Sequence, residues 1–168
     1  MSDSREPEPD GGSAACISVA MGEIGAARHA GTLRTFLGSC VGVALHERRL
    51  RLACLAHVVL PTAAGGGGTP GRYADTALPE MLRLLGKLAD GAPLSLRAKL
   101  VGGAHMFGFQ SRIAVGEQNV QALERLLESA GIPIVGRDCG GRHGRRLSLD
   151  VATGEVTVET VGVGIMKV

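Results

Sequence analysis

Thr35–Pro61 reads TFLGSCVGVALHERRLRLACLAHVVLP, and its pattern of apolar residues decides the fold around it. Val41–His46 carries its larger apolar residues at every second position, and Leu52–Val59 resumes an apolar run. The stretch between them, Glu47-Arg48-Arg49, is polar and reads as a solvent-facing turn, so the segment predicts a β-hairpin. Centred between Arg48 and Arg49, that hairpin sets His46 opposite Arg51 and Cys40 opposite His57. Directly opposed residues have Cβ atoms roughly 4.5–5.5 Å apart. A thiol and an imidazole so placed can serve as a nucleophile and its base.

The faces agree with this pairing. Val41, Val43, Leu45, Leu52, Cys54 and Val58 fall on one side, which is uniformly apolar. Cys40 and His57 share the other side with Gly42, Ala44, Ala53 and Leu55. These residues are mostly small, leaving room for another backbone or for a substrate side chain. A slip of one residue would send Cys40 and His57 to opposite faces. The residues alone also allow a plainer reading, in which Cys40 is a small core residue and His57 a hydrogen-bonded core histidine.

Outward from the hairpin, Ile17–Ala20 and Ile24–His29 read as short edge strands, and Gly31–Leu37 as a strand leading into the Gly38-Ser39-Cys40 turn. Pro61 ends the second hairpin strand. The loop at 62–71 contains Gly65–Gly68 but lacks a following G-K-[ST] and any dinucleotide fingerprint, so it reads as a flap or a plain loop. Leu78, Met81, Leu82, Leu85 and Leu88 recur at helical spacing, predicting a helix over Asp75–Leu88, capped by Asp75 or Thr76 with Pro79 in the first turn. Ala98–Val101 reads as a buried strand, followed by a Gly102-Gly103 turn. Val120, Leu123, Leu126, Leu127 and Ala130 mark a second helix, stopped by Gly131 and Pro133. Ile132–Val135 is again a strand, and Arg145–Val151 with Val156–Val161 a hairpin. With no regular βαβ repeat, the class is α+β: mixed and antiparallel sheets flanked by helices in a single layered domain.

The chain has 168 residues, a net charge of +2, 26 glycines, one tyrosine, three phenylalanines and no tryptophan. One domain over 14–168 is expected, with a core of Leu, Val, Ala and Ile. Met1–Ser13 holds Asp3, Glu6, Glu8 and Asp10 against Arg5, and reads as a disordered acidic tail. The remainder is therefore more basic than the whole, which suits an acidic partner. There is no apolar leader and no run near the roughly 20 residues of a membrane span, so a cytoplasmic location is expected. Cys16, Cys40, Cys54 and Cys139 lie far apart without a C-x-x-C, which argues free thiols and against a zinc site. No cofactor is expected. Arg142, Arg145 and Arg146 read as solvated turn charge. The scarcity of stacking aromatics argues against nucleic acid. Cys54 reads as core, and His29, His105 and His143 as structural or surface residues.

LGSCVGVALHE, LAHVVLP, GRYADTALPEML, AKLVGGAHMF, VGEQNV and IPIVGRDCGGRHGRRLSLDVATGEV follow one another from about Ser18 to Thr160. In their order and spacing they resemble the chemoreceptor glutamine deamidase family, CheD. The resemblance implies a fold similar to the cysteine-hydrolase fold of bacterial deamidating toxins. It also implies hydrolysis of particular glutamine side chains on methyl-accepting chemotaxis receptors, with Cys40 as nucleophile and His57 as base. The Gly38–Cys40 turn, with Ser39 between, would supply oxyanion-stabilising amides. A threonine upstream of the cysteine orients the imidazole in the family. Here Thr35 is the candidate, with Arg34 at the position where some relatives place it. Gln118 stands where relatives commonly have arginine. Family members also dock onto a response-regulator phosphatase, CheC, so an adaptor role and transglutaminase-like acyl transfer are the alternatives. A monomer is expected for the chain alone.

Overall fold

The computed structural model describes residues 15–105 and 114–168. The predicted tail and the Met106-Phe107 end of the GGAHMF motif lie outside the described residues. Ten strands and two helices are present among them: β1 (Cys16–Ser18), β2 (Ile24–Arg28), β3 (Thr32–Leu37), β4 (Val41–Glu47), β5 (Leu52–Val58), α1 (Ala74–Ala89), β6 (Leu96–Gly102), α2 (Val115–Ser129), β7 (Ile134–Cys139), β8 (Arg145–Asp150), β9 (Val156–Thr160) and β10 (Gly164–Lys167).

The strands form two mixed sheets, ordered β1-β3-β8-β9-β10 and β2-β5-β4-β6-β7. Each carries one parallel pair, β1 with β3 and β6 with β7, and is otherwise antiparallel. The α+β class holds. β4 and β5 are central in the second sheet and almost wholly buried. Val41, Val43, Leu45, Leu52, Cys54 and Val58 pack with Leu78, Met81, Leu85, Leu123 and Leu127 of the helices. The other face packs on the first sheet through Leu33, Leu37, Leu147, Leu149 and Val158. Layers thus run helices, sheet, sheet. Each fully buried leucine contributes roughly 1.5–3 kcal/mol, so a strand apolar on both faces is the anchor of the domain.

Gly42 shows why one hairpin face is small. A Cβ there would meet Leu37 Cδ1 at 2.9 Å and Leu147 Cδ1 at 3.0 Å. The space is filled by the first sheet rather than left for a substrate side chain.

Several expectations change in detail. Glu47 is not a solvent-facing turn residue; it ends β4 with a buried carboxylate that accepts the amides of Arg49, at 3.0 Å, and Ser95. The helix α1 begins at Ala74 with Tyr73 as N-cap and no side-chain cap, because the Asp75 carboxylate instead accepts the Ala63 amide at 3.1 Å. That earlier start leaves Pro79 in the second turn instead of the first. The strand predicted over Ile132–Val135 begins at Ile134 and continues to Cys139, since Ile132 still closes the end of α2 through its amide on Leu127 O at 2.9 Å. The short strand β10 has no counterpart in the sequence reading; its residues are exposed throughout and leave no burial pattern to read.

Candidate active site

His57 and Thr35 come from different sheets. The β3 burial pattern turns Leu33, Thr35 and Leu37 inward and Arg34 and Phe36 to solvent. Thr35 Oγ1 lies 2.8 Å from Val19 O and 2.7 Å from His57 Nδ1. A hydroxyl has one proton, and the carbonyl can only accept, so Thr35 donates to Val19 and accepts from His57 Nδ1–H. This assigns the imidazole tautomer: Nδ1 carries the proton and Nε2 holds a lone pair. Nε2 is buried and has no hydrogen-bond partner among the described residues. Leaving a buried acceptor unpaired costs about 1–3 kcal/mol, a cost tolerated where the lone pair is needed.

The hairpin register differs from the expected one by two residues. Val41 pairs with Val58 and Gly42 with His57. His46 correspondingly faces Ala53, because the turn accommodates Arg51 at φ 49° before the ladder begins at Leu52. Cys40 precedes β4 and is therefore a diagonal neighbour of His57 rather than its direct partner. A shift of two preserves the face, so both residues stay on the inner side. Diagonal positions are typically ~7–8 Å apart at the backbone, within reach of long side chains. The residue directly opposite His57 is Gly42, which has no side chain to crowd the imidazole.

The Cys40 backbone is held by the Gly102-Gly103-Ala104 segment. Gly103 N–H donates to Cys40 O at 2.8 Å, and Ala104 N–H to Gly38 O at 2.9 Å. Gly102 has φ 110°, and a Cβ there would lie 2.4 Å from Cys40 O. Only glycine fits this approach. Gly116 in α2 repeats the device, since its Cβ would come within 2.6 Å of the Gly103 backbone. Asn119, fully buried in α2, donates Nδ2–H to Val59 O at 2.9 Å beside the end of β5. The neighbouring Gln118 is half-buried, and Glu117 accepts from Gln121.

Arg145 braces the other side. It is buried, contrary to its reading as solvated charge, because the turn folds back over it. Its guanidinium donates to Asp138 O at 2.5 Å and to Gly140 O, and pairs with the Asp138 carboxylate at 3.3 Å. Gly140 N–H in turn reaches Gly102 O at 2.9 Å, and His105 N–H reaches Gly141 O at 2.8 Å. Arg146 does stay on the surface, paired with Glu159 at 3.1 Å. The sequence reading passed over Gly102, Gly103, Asn119 and Arg145 as parts of a site; the paired glycines after a buried strand were the signal available.

Burial raises the Cys40 thiol above its ordinary value and lowers His57 below its own. Both shifts favour the neutral forms, a thiol beside an uncharged imidazole. Cys54 is wholly buried and pushed up to about 12; Cys139, pushed up to about 11, points its thiol at Leu100 O at 3.4 Å. Cys16 is exposed. His29 is exposed at φ 72°. The glycine-rich loop is tied near His57, with Thr69 Oγ1 donating to Gly22 O at 2.5 Å and Gly22 N–H to His57 O at 2.9 Å. Among the described residues no three His, Cys, Asp or Glu side chains converge as metal ligands, and no helix is long and apolar enough to cross a membrane.

A family model described as CheD chemotactic sensory transduction matches residues 59–160. A probable chemoreceptor glutamine deamidase CheD of Thermococcus kodakarensis is 41% identical over 153 residues, covering 88% of this chain and 94% of that one. The corresponding proteins of Pyrococcus abyssi (40%, 86% and 91%) and Desulfitobacterium hafniense (39%, 88% and 95%) are similar over comparable spans. The match to the family model and the near-complete coverage of these relatives show that the chain belongs to the CheD family.

Proposed function

We propose that the protein is a glutamine deamidase that hydrolyses side-chain amides on chemoreceptors to glutamate and ammonia, in chemotaxis. The names of its relatives supply the substrate class. The observation that carries the chemistry is the buried His57 Nε2, without a partner among the described residues and in a ring whose tautomer Thr35 fixes, one diagonal step from Cys40. Cys40 and His57 are the catalytic residues in this reading, and Thr35 is the positioning residue.

Nε2 takes the Cys40 proton as Sγ attacks the amide carbon, forming a C–S bond and an oxyanion. The amides of Ser39 and Cys40 lie between the ladders of β3 and β4 and can donate to that oxyanion, with Gly38 giving the turn its close approach. Collapse breaks the C–N bond, and the imidazolium gives its proton to departing ammonia. His57 then activates water, which cleaves the thioester to glutamate and returns the proton to sulfur. Two sheets joined at such a site also support likeness to the cysteine-hydrolase fold of deamidating toxins. In this reading the substrate is the receptors' cytoplasmic part, and the protein acts in the cytoplasm.

The test is incubation with a receptor cytoplasmic fragment, followed by peptide mass spectrometry. The parent should convert chosen glutamines to glutamate, and Cys40→Ala should convert none while still binding the fragment. A primary amine in a parallel reaction reports acyl transfer in place of hydrolysis. If the parent binds receptor and converts nothing, docking to a CheC-type phosphatase becomes the better account.

A further inference from the structure

A concave surface lies at the end of the hairpin remote from Cys40. It encloses about 760 Å³ and is lined by Arg48, Arg49, Arg51, Arg97 and Lys99, with Glu47 as its carboxylate. This volume is on the scale of small-molecule sites, roughly 300–1,000 Å³. Cys40 precedes β4 and the cleft residue His46 lies near its other end, and six residues of strand span roughly 20 Å. The cleft is therefore separate from the site described above.

Its charge is not neutralised from within. Glu47 is spent on the Arg49 and Ser95 amides and lies 3.7 Å from Arg49 Nε. Asp150, nearby, accepts from Thr153 N at 2.8 Å and Oγ1 at 2.9 Å, and Glu155 pairs with Lys167 at 2.9 Å. Among the described residues, Arg48, Arg51 and Arg97 take part in no ion pair. Lys99 is half-buried and fixed by donation to Gly154 O at 3.0 Å, which leaves two of its protons for a ligand. His46, held by Val151 O at 3.1 Å, closes the floor against Gly154. Among the described residues no Phe, Tyr or Trp lines the cleft.

We infer that this cleft binds a small phosphate-bearing anion. Guanidinium forks match phosphate oxygens in pairs, and several converging cations favour a multiply charged group over a single carboxylate.

Pyrophosphate is the probe, titrated calorimetrically into the full chain at low salt and again at high salt, where screening weakens exposed charge. One-to-one binding that weakens with salt is expected, with a rise in the unfolding temperature. The double variant Arg51→Ala/Arg97→Ala should weaken it at least about tenfold, equivalent to ~1.4 kcal/mol. Arg83→Ala, which removes a surface arginine paired with Glu80 on α1, should leave it unchanged. Lack of saturation by pyrophosphate, equal losses in both variants, or tighter binding of citrate than of pyrophosphate would each overturn the assignment.

Discussion

Thr35 Oγ1 and His57 Nδ1 lie 2.7 Å apart, and that hydrogen bond joins the two sheets at the point where Cys40 enters β4. Thr35 is bound to Val19 O at the same time, so the hydroxyl cannot rotate without losing one of its partners. The imidazole is thereby fixed in tautomer and in orientation.

Removing this constraint should disorder the base without deleting it. Thr35→Ala is expected to lower turnover by less than the ~10²–10⁴-fold that loss of a general base brings. Thr35→Ser, which keeps the hydroxyl, should recover most of that loss, and Arg34→Ala should change little because Arg34 faces solvent. Turnover of receptor glutamines by the three variants is the measurement. A larger effect at Arg34 than at Thr35 would reject the positioning role.

Labelling of thiols gives a test independent of substrate. Cys16 is exposed and reacts regardless of the site, so a Cys16→Ser background is needed. In it, Cys40 should react with iodoacetamide well ahead of Cys54, whose thiol is buried and pushed up to about 12. His57→Ala should slow Cys40 several-fold and leave Cys139 untouched. Peptide mapping over time distinguishes these rates.

The sequence makes the hairpin, its two faces and the shared face of Cys40 and His57 legible because β-alternation survives any register shift of two. It could not show the shift itself, since Arg51 at positive φ lengthens the turn and no glycine marks the place. Arg145 escapes the sequence for a related reason. A buried arginine looks like a surface one until the Asp138 and Gly140 carbonyls that satisfy it are seen folding back. Thr35 is singled out by the family resemblance, and its inward face agrees with the alternation of Leu33 and Leu37. Glu47 was hidden by its neighbours, being the one buried charge in a run of exposed arginines.

The pH dependence follows from the two shifts. His57 is lowered by burial, so the native base stays neutral, and active, to somewhat below the ordinary histidine value of ~6.5. Its contribution to stability is present above the unfolded value and is lost as pH falls through the folded one. Cys40 is raised by burial, so its contribution is present below the unfolded thiol value and lost as pH rises through the folded one. Denaturant midpoints should therefore decline on both sides, and His57→Gln should remove part of the acid-side decline. Unchanged acid-side slopes in that variant would show that His57 does not carry the effect.

Gly102→Ala tests whether the nucleophile's backbone is held as the contacts imply. The substitution adds one methyl group at a position with φ 110°, where the new Cβ would come within 2.4 Å of Cys40 O. That oxygen also accepts the Gly103 amide at 2.8 Å, so relief requires either moving Cys40 or opening the Gly103 bond. Overpacking and a residue forced to positive φ each cost roughly 1–3 kcal/mol. The fold, with its core on both faces of β4, should survive this, whereas catalysis should suffer more, since small misplacements of a reacting group can cost ~100-fold. The expected outcome is a folded protein of reduced unfolding temperature, with turnover down at least tenfold and slower alkylation of Cys40. Gly91→Ala is the control, since a Cβ there meets nothing within 4 Å although φ is 81°. It should show backbone strain alone, with a modest stability loss and turnover near that of the parent. Equal turnover in the two variants would mean that Gly102 does not set the position of Cys40.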